Sequence, residues 1–218
     1  RWGCLSAREL EAEAMERPGG APFARQLAWR DFYAHVLLHH PGNVRHEHQE
    51  RYRALEWDDD PELAAAWREG RTGYPIVDAG MRQLAATGWM HNRARMVVGS
   101  FLTKNLHLDW RVGEEWFERL LLDGEPAQNN GNWQWIASTG VDPAPYSRRM
   151  FNPVLQAQRF DPDGAYVRRW VPELEGVPDA HIHEPWEMSE REQQAAACPI
   201  GRAYPAPVVD HREERRVA

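Results

Sequence analysis

Apolar residues recur along this chain at the three- and four-residue spacing that is typical of amphipathic α-helices. In residues 75–88, for example, the large apolar side chains share one helical face, and Gly88 is a typical helix end. The sequence contains no convincing run of alternating apolar and polar residues and no internal repeat. It therefore predicts an all-α fold, a helical bundle formed by residues 1–218. The predicted helices span about residues 5–16, 22–40, 61–70, 75–88, 90–106, 113–122, 133–138 and 189–197.

Proline, glycine and short polar residues set the predicted helix boundaries. Residues 17–20, Arg-Pro-Gly-Gly, and Pro41-Gly42 should separate the first segments, because both contain strong helix breakers. Asp60 followed by Pro61 is typical of a helix start, since the carboxylate can cap free N–H groups and proline suits the first turn. Residues 43–56 are polar and rich in histidine and arginine, which predicts a loop with a short helix.

Residues 129–135, Asn-Asn-Gly-Asn-Trp-Gln-Trp, concentrate three asparagines and two tryptophans in one short segment. A helix start with Asn as the N-cap and Trp in the core explains one Asn and at most one Trp. Trp133 and Trp135 would point to different faces of a helix, so one can face the interior while the other faces a cavity. An amide offers donors and an acceptor without charge. The segment therefore suits a flat, heteroatom-edged ring system, such as a flavin or a base.

Composition narrows the possible functions. The 11 tryptophans exceed ordinary usage, and tryptophan stacks, anchors interfaces and can carry electrons. The formal net charge of −7 argues against a non-specific nucleic-acid coat, so any DNA contact must come from a local basic patch. Cys4 and Cys198 form neither a zinc pattern nor a disulfide framework, which favours a reducing cytoplasm. The sequence shows no membrane-spanning run and no signal peptide.

Metal and hydrolytic chemistry have little support in the sequence. His35 and His39 have the i, i+4 spacing that could bind a metal ion, but no third ligand follows at a recognised spacing. We therefore expect no metal site. The glycine and serine motifs of hydrolases, Rossmann enzymes and P-loop proteins are also missing from the sequence.

Arg95 is unusual because it belongs to an otherwise apolar predicted helix. Asn92 precedes it by three residues and would share its helix face. An arginine in such a place requires a carboxylate or a phosphate, and Asp123 and Glu125 lie just before the Asn/Trp segment. An ion pair between Arg95 and Asp123 beside a cofactor is one interpretation, and a plain structural salt bridge is the other.

Five motifs follow one another along the chain: Trp29-Arg30-Asp31-Phe32-Tyr33, Trp89-Met90-His91-Asn92-Arg93, Asn129 through Trp135, Ser138 through Tyr146 and Phe151-Asn152-Pro153. Together they resemble the DNA photolyase/cryptochrome family. Their order and spacing are similar to its C-terminal, all-helical FAD-binding domain, in particular to that of class I cyclobutane pyrimidine dimer photolyases. The resemblance runs from about Trp2 to His211, and it implies that the chain is a fragment whose phosphate-binding loop and N-terminal α/β antenna domain precede Arg1.

The resemblance implies a bound FAD with FADH⁻ as the active form, and a folate or deazaflavin antenna chromophore in the upstream domain. Asn129 matches the residue that faces flavin N5, where Asn is typical of photolyases. Arg95 and Asp123 match the ion pair beside the flavin, and Glu125 matches a second acidic flavin contact. The other cofactor-binding residues that the resemblance implies are Phe23, Gln26, Arg30 and Asn92.

UV-damaged DNA is the implied partner. Trp29 and Trp135 match the aromatic walls of the lesion pocket, and stacking an extruded base is worth about 1–3 kcal/mol. Such stacking helps to offset the cost of flipping the lesion out of the duplex. The other implied lesion and DNA contacts are Gln26, Arg30, Tyr33, Asn92 and Met96, with Arg93, Arg148 and Arg149 as candidates for phosphate contacts at the pocket mouth.

Trp57, Trp110 and Trp133 match the tryptophan triad that relays an electron from the surface to photoexcited oxidised flavin. Together with Asn129, they are the residues that the resemblance assigns to the reaction. The implied activity is that of a deoxyribodipyrimidine photo-lyase. Photoexcited FADH⁻ gives an electron to a cyclobutane pyrimidine dimer, the ring splits, and the electron returns. We expect a monomer.

Other functions are compatible with parts of the sequence. A cryptochrome-type photoreceptor would keep the flavin and the triad, but Asn129, Trp29 and Trp135 argue against it. In a (6-4) photolyase the lesion would differ, and Asn92 fits the cyclobutane class better. A non-enzymatic helical binding module would need neither flavin nor light. Gln26 stands where cyclobutane-dimer photolyases often carry Glu, so we expect altered efficiency or substrate preference.

Overall fold

The computed structural model describes residues 4–142 and 144–217, so Trp2 and Pro143, which contribute to the resemblance, lie outside the described residues. Within those ranges the structure is all-α, and strand-like pairing is confined to two isolated bridges, Asp58 with Leu108 and Ile200 with Tyr204. The helices are α1 (Ala7–Met15), α2 (Ala21–His39), α3 (Pro61–Glu69), α4 (Pro75–Thr87), α5 (Asn92–Ser100), α6 (Trp110–Leu120), α7 (Pro126–Ala137), α8 (Pro153–Phe160), α9 (Ala165–Trp170), α10 (Glu190–Ala195) and α11 (His211–Val217).

Capping residues place the early helices close to where the sequence predicts them. Asp60 Oδ1 accepts hydrogen bonds from the backbone N–H groups of Glu62 and Leu63, both at 2.9 Å, and Pro61 begins α3. Gly70 follows α3 with a φ of 63°, a left-handed conformation in which a Cβ would be strained. The predicted helix over residues 61–70 is therefore confirmed.

The predicted start of the helix that contains the Asn/Trp segment was wrong. Helix α7 begins at Pro126, about two turns before Trp133, so Asn129 lies inside the helix. The carboxylate of Glu125 is the actual N-cap, because it accepts from the N–H groups of Ala127 at 3.3 Å and Gln128 at 2.9 Å. A Glu cap is rarer than an Asn cap, and the sequence therefore pointed to the wrong residue.

Other boundaries also differ from the predictions. Residues 90–106 do not form one α-helix, because His91 caps α5 and a π-helical turn, Phe101–Asn105, follows its end. Helix α6 begins about one turn earlier than predicted, at Trp110, and the sequence analysis missed α8, α9 and α11.

The main core lies where α3, α5, α6 and α7 meet. The Trp67 ring lies 6.3 Å from the Phe117 ring and 6.1 Å from the Trp133 ring, measured between centroids. Trp67 Nε1 donates to the carbonyl of Val98 at 2.9 Å, so this buried indole has its polar atom satisfied. The aromatic cluster fixes the spacing of the helices that surround α7.

A glycine lets α7 approach α2. A Cβ at Gly131 would overlap the Tyr33 ring. A second glycine, Gly113 on α6, leaves space that the Trp133 ring fills, because a Cβ there would overlap that ring. Helix α7 is therefore packed closely on both sides, and its side chains have little freedom to move.

We expect Gly131→Ala to destabilise the protein by about 1–3 kcal/mol, the typical cost of overpacking, although Ala by itself favours a helix by about 1 kcal/mol over Gly. Gly42→Ala is the matched control, since a Cβ there would meet nothing within 4 Å. Chemical unfolding of the two variants and the parent measures the difference. Equal stability of Gly131→Ala and Gly42→Ala would contradict the close packing.

Candidate functional site

A cavity of about 420 Å³ opens between α2, α5 and α7, with the segment before α7 at one end. Its wall combines aromatic rings, uncharged amides and one ion pair. The predicted site residues that line it are Gln26, Trp29, Tyr33, Asn92, Arg95, Met96, Asp123, Glu125, Asn129, Trp133 and Trp135. The fold thus brings together residues from three helices that are far apart in sequence.

Helix α2 supplies an aromatic wall. Trp29 is 47 % exposed, and its ring lies 5.9 Å from the Tyr33 ring, one turn further along the helix. Phe32 packs edge-on against Trp29 at 5.4 Å between centroids. Trp29 therefore presents a large apolar surface to solvent that neighbouring rings support from behind, an arrangement suited to stacking on a planar ligand.

The ion pair between Arg95 and Asp123 is present. Arg95 Nη2 donates to both carboxylate oxygens of Asp123, at 3.1 and 2.9 Å, and Arg95 Nε donates to the carbonyl of Met90 at 2.7 Å. Three hydrogen bonds hold the guanidinium at the cavity wall. The pair places opposite charges beside each other, so the wall offers polar contacts with little net charge.

The amide of Asn129 has a fixed orientation. Its Nδ2 donates to the backbone carbonyl of Glu114 at 2.8 Å, which leaves Oδ1 to accept a hydrogen bond at the cavity. The next residue, Asn130, donates through Nδ2 to Glu114 Oε1 at 2.9 Å and to the carbonyl of Asn43 at 3.0 Å. Consecutive asparagines of α7 therefore join it to α6.

Sequence analysis missed Glu114. It stands among other acidic and basic residues of α6, a pattern that indicates a solvated face. The structure instead half-buries it behind Asn129 and Asn130. Burial raises the pKa of Glu114 from 4.5 to about 7, and the hydrogen bond from Asn130 opposes the shift. The adjacent Gly113 was the one available signal, because it lets α7 come close.

The three tryptophans of the predicted relay differ in their burial. Trp133 lines the cavity and is buried, Trp110 is fully buried, and Trp57 is half-buried. The Trp133 ring packs on Gly113, which lies one helical turn beyond Trp110. Asp58, next to Trp57, donates its backbone N–H to the carbonyl of His107 at 2.9 Å. The backbone therefore brings the three segments together.

Besides Trp57 and Trp110, five predicted site residues do not line the cavity. Phe23 and Arg30 are exposed on α2, and Arg30 pairs with the neighbouring Asp31 at 3.6 Å. Arg93 lies over the Phe160 ring, 4.6 Å from its centroid. Arg148 is exposed, whereas Arg149 is buried.

Two further polar residues line the cavity, of which Gln128 escaped the sequence analysis and Asn132 belongs to the Asn/Trp segment without an assigned contact. Gln128 Nε2 donates to the carbonyl of Arg30 at 2.8 Å, and Asn132 Nδ2 donates to the carbonyl of Gln128 at 2.8 Å. Gln128 and Asn129 lie four and three residues before Asn132, so the three amides share one face of α7. The shared face of these amides would have been recognisable in the sequence if the predicted helix had begun at Pro126.

Within residues 4–142 and 144–217, no group of three or more His, Cys, Asp or Glu side chains could hold a metal ion. The His35 and His39 rings stack 6.1 Å apart on α2. None of the helices in this part of the chain combines the length and apolarity needed to cross a membrane.

The cavity suits a planar ring system with polar edges. Amides on α7 offer both donors and acceptors, and the Arg95–Asp123 pair adds charged hydrogen-bonding groups without a large net charge. Trp133 and the half-buried Trp135 contribute apolar surface. The fold and the cavity therefore define an all-helical protein able to bind a flat, heteroatom-edged cofactor.

Comparison with known proteins identifies the family. The family model described as the FAD binding domain of DNA photolyase matches residues 23–218, and the chain belongs to that family. The deoxyribodipyrimidine photo-lyase of Alkalihalophilus pseudofirmus is 50 % identical over 221 residues, which cover 99 % of this chain and 46 % of that protein. The chain thus spans about half the length of the curated relatives it matches.

Solved structures agree with the family. A class III photolyase from Agrobacterium tumefaciens has a TM-score of 0.90 at 44 % identity, covering 97 % of this chain and 44 % of that one. A cryptochrome from Synechocystis has the same TM-score at 36 % identity, covering 99 % of this chain and 46 % of its own. The predicted fold is confirmed, and class I membership stays a prediction.

Glu114 gives the site a pH dependence. Since the folded protein holds this proton more tightly than the unfolded chain, the contribution of Glu114 to the free energy of unfolding should fall as the pH rises from 4.5 to about 7 and stay constant above that. Glu114→Gln should remove this contribution from the pH profile, and Glu115→Gln, at an exposed neighbour, should keep it. Unfolding curves between these pH values provide the measurement. Identical pH profiles for the parent and Glu114→Gln would contradict the role of Glu114.

Proposed function

We propose that this chain binds FAD in the cavity and holds a cyclobutane pyrimidine dimer of UV-damaged DNA against it for light-driven repair. One observation carries the proposal: a single cavity is lined both by the amides of α7 and by the rings of Trp29 and Trp135. The amides suit the edge of a flavin, and the tryptophans suit an extruded lesion. A site for flavin alone would not require the exposed indole of Trp29.

FAD, when bound in its reduced form, supplies the light-driven electron that opens the cyclobutane ring. The residues of this chain bind and orient. Asn129 Oδ1 is the acceptor that we assign to the flavin edge, because its Nδ2 is already bound to Glu114. Arg95 and Asp123 keep the flavin surroundings nearly neutral. Glu125 is assigned as a further flavin contact, although its carboxylate also caps α7.

The lesion would stack on aromatic rings at the mouth. Trp29 and Trp135 provide the faces, and each stacked base contributes about 1–3 kcal/mol. Asn92 and Met96 lie one helical turn apart on α5 and line the same cavity, where Asn92 Nδ2 lies 3.6 Å from Met96 Sδ. Gln26, one turn before Trp29, can donate to a thymine carbonyl. Closing such a pocket over the lesion excludes water.

DNA outside the pocket would be held by arginines near the pocket. Arg93 follows Asn92, the first residue of α5, and is half-buried, whereas Arg148 is exposed on the segment that follows α7. Phosphate contacts of this kind give affinity without reading sequence. They also allow an acidic chain to bind DNA through one local patch.

A photoreceptor is the second candidate, because the similar Synechocystis structure is a cryptochrome. It would keep the flavin contacts and the tryptophans but would not need a lesion pocket. A (6-4) photolyase would use the same cavity for a different lesion. The antenna chromophore and the α/β domain that would bind it stay predictions for the rest of the protein.

Repair of UV-irradiated oligothymidine tests the proposal. With FAD and reductant, absorbance of the thymine band should recover in blue light and stay constant in darkness. A parallel substrate carrying a (6-4) photoproduct should remain unrepaired. A protein that holds flavin and repairs neither lesion would instead support the photoreceptor.

Trp29→Ala should weaken binding of dimer-containing DNA by about 10- to 100-fold, the loss expected for one stacked base. Leu38→Ala on the same helix is the control, because Leu38 is 72 % exposed and does not line the cavity. Affinities for a dimer-containing and an intact oligonucleotide give the comparison. Equal affinity of the Trp29→Ala variant and the parent for the dimer would exclude Trp29 from the lesion pocket.

Trp110→Phe should separate two light reactions. Light-driven reduction of oxidised flavin should slow at least tenfold. In the proposed relay Trp110 passes the electron from Trp57 to Trp133, and phenylalanine cannot replace it in that step. Repair by chemically reduced protein should stay unchanged. Trp170→Phe is the control, because Trp170 does not line the cavity and packs against a separate apolar cluster that includes Val167, Val171 and Leu174. Unchanged photoreduction in Trp110→Phe would refute the relay.

A further inference from the structure

Arg149 makes an unusual set of contacts behind one wall of the cavity. Its guanidinium carbon lies 4.0 Å from the centroid of the Trp135 ring, and its Nη1 donates to the backbone carbonyl of the same tryptophan at 2.7 Å. One side chain therefore holds both the ring and the backbone of Trp135. Such cation–π contacts are strongest when the cation is removed from water, and Arg149 is only 6 % exposed.

The guanidinium is itself held in place. Arg149 Nη2 forms an ion pair with the Asp142 carboxylate, and the carbonyl of Asp142 accepts from Gln49 Nε2 at 3.0 Å. Ser100 Oγ on α5 donates to the carbonyl of Arg149 at 2.8 Å. Contacts from three parts of the chain therefore fix Arg149 before any ligand binds.

Trp135 lines the cavity, but Arg149 does not. The cation thus stacks on the indole from behind the wall, and its paired, buried donors are poorly placed to contact a DNA phosphate. The preceding residue, Arg148, is exposed, so burial does not keep its guanidinium from a phosphate. A phosphate contact suits Arg148, and a different role is needed for Arg149.

We propose that Arg149 is a positioning residue that locks the indole of Trp135 in the orientation needed to stack on the lesion, and that it does not bind DNA phosphate. A ring that is already ordered loses little conformational entropy when a base stacks on it. Removal of Arg149 should therefore weaken binding of the extruded lesion and leave binding of intact duplex almost unchanged. The proposal rests on the function proposed above, in which Trp135 flanks the lesion.

Salt-dependent binding distinguishes positioning from phosphate contact. The affinities of FAD-loaded protein for an oligonucleotide with one thymine dimer and for its intact counterpart would be measured over a range of salt concentrations. Arg149→Gln should lower the preference for the dimer about tenfold and leave the salt slope unchanged. Arg148→Gln, the matched control, should weaken binding of both duplexes equally and reduce the salt slope by about 0.9. Arg149→Lys should lie between Arg149→Gln and the parent, because it keeps the charge without the planar stack.

If Arg149→Gln weakened binding of both duplexes equally and reduced the salt slope, the proposal would be overturned in favour of a phosphate contact. A double-mutant cycle supplies a readout without DNA. Arg149→Gln and Trp135→Leu should be coupled by about tenfold in the unfolding equilibrium constant, whereas Arg148→Gln and Trp135→Leu should be additive. If Arg149→Gln does not fold, Arg149→Lys replaces it in both measurements.

The two measurements also separate this inference from the proposed function. If the cycle shows coupling but the parent protein does not prefer the dimer, lesion binding is refuted. The contact of Arg149 with Trp135 is still supported in that case. Additivity in the cycle would refute the inference, whatever the parent binds.

Discussion

The close packing of α7 between α2 and α6 is the constraint on which the rest of the site depends. It requires glycine at two places, because a side chain at Gly131 would overlap Tyr33 and one at Gly113 would overlap Trp133. Once the helices are this close, the polar side chains of α7 must find partners within the protein. Asn129 and Asn130 find them on Glu114, and this fixes which atom of Asn129 is left for a ligand.

The same packing explains the electrostatics of the cavity. Helix α7 covers Glu114, so the carboxyl loses water and its pKa rises to about 7, near the pH at which the protein would work. The Arg95–Asp123 pair lines the same cavity and is more exposed. The site thus combines a carboxyl of raised pKa behind Asn129 with a pair of opposite charges at Arg95.

The fold class and most residues that line the cavity were predictable because they depend on local signals. Asp60-Pro61 marks a helix start by itself, and the motifs around Trp29 and Asn129 are readable without knowing their neighbours. Glu114 and Arg149 were different. The first resembles a surface residue of α6 and the second an ordinary solvated arginine, and only the helices packed over them reveal their burial. Long-range packing, which a residue pattern does not encode locally, decided both.

The contrast between Arg148 and Arg149 shows why adjacent arginines need not share a role. Arg148 keeps its charge in water, where it can attract phosphate but specifies no geometry. Arg149 is desolvated, and its charge is balanced by Asp142 and directed at one ring. Desolvation strengthens this contact and removes the side chain from solvent at the same time. Under the proposed function, an arginine of this pair would either bind DNA or hold the tryptophan that stacks on the lesion, and its burial decides between the two roles.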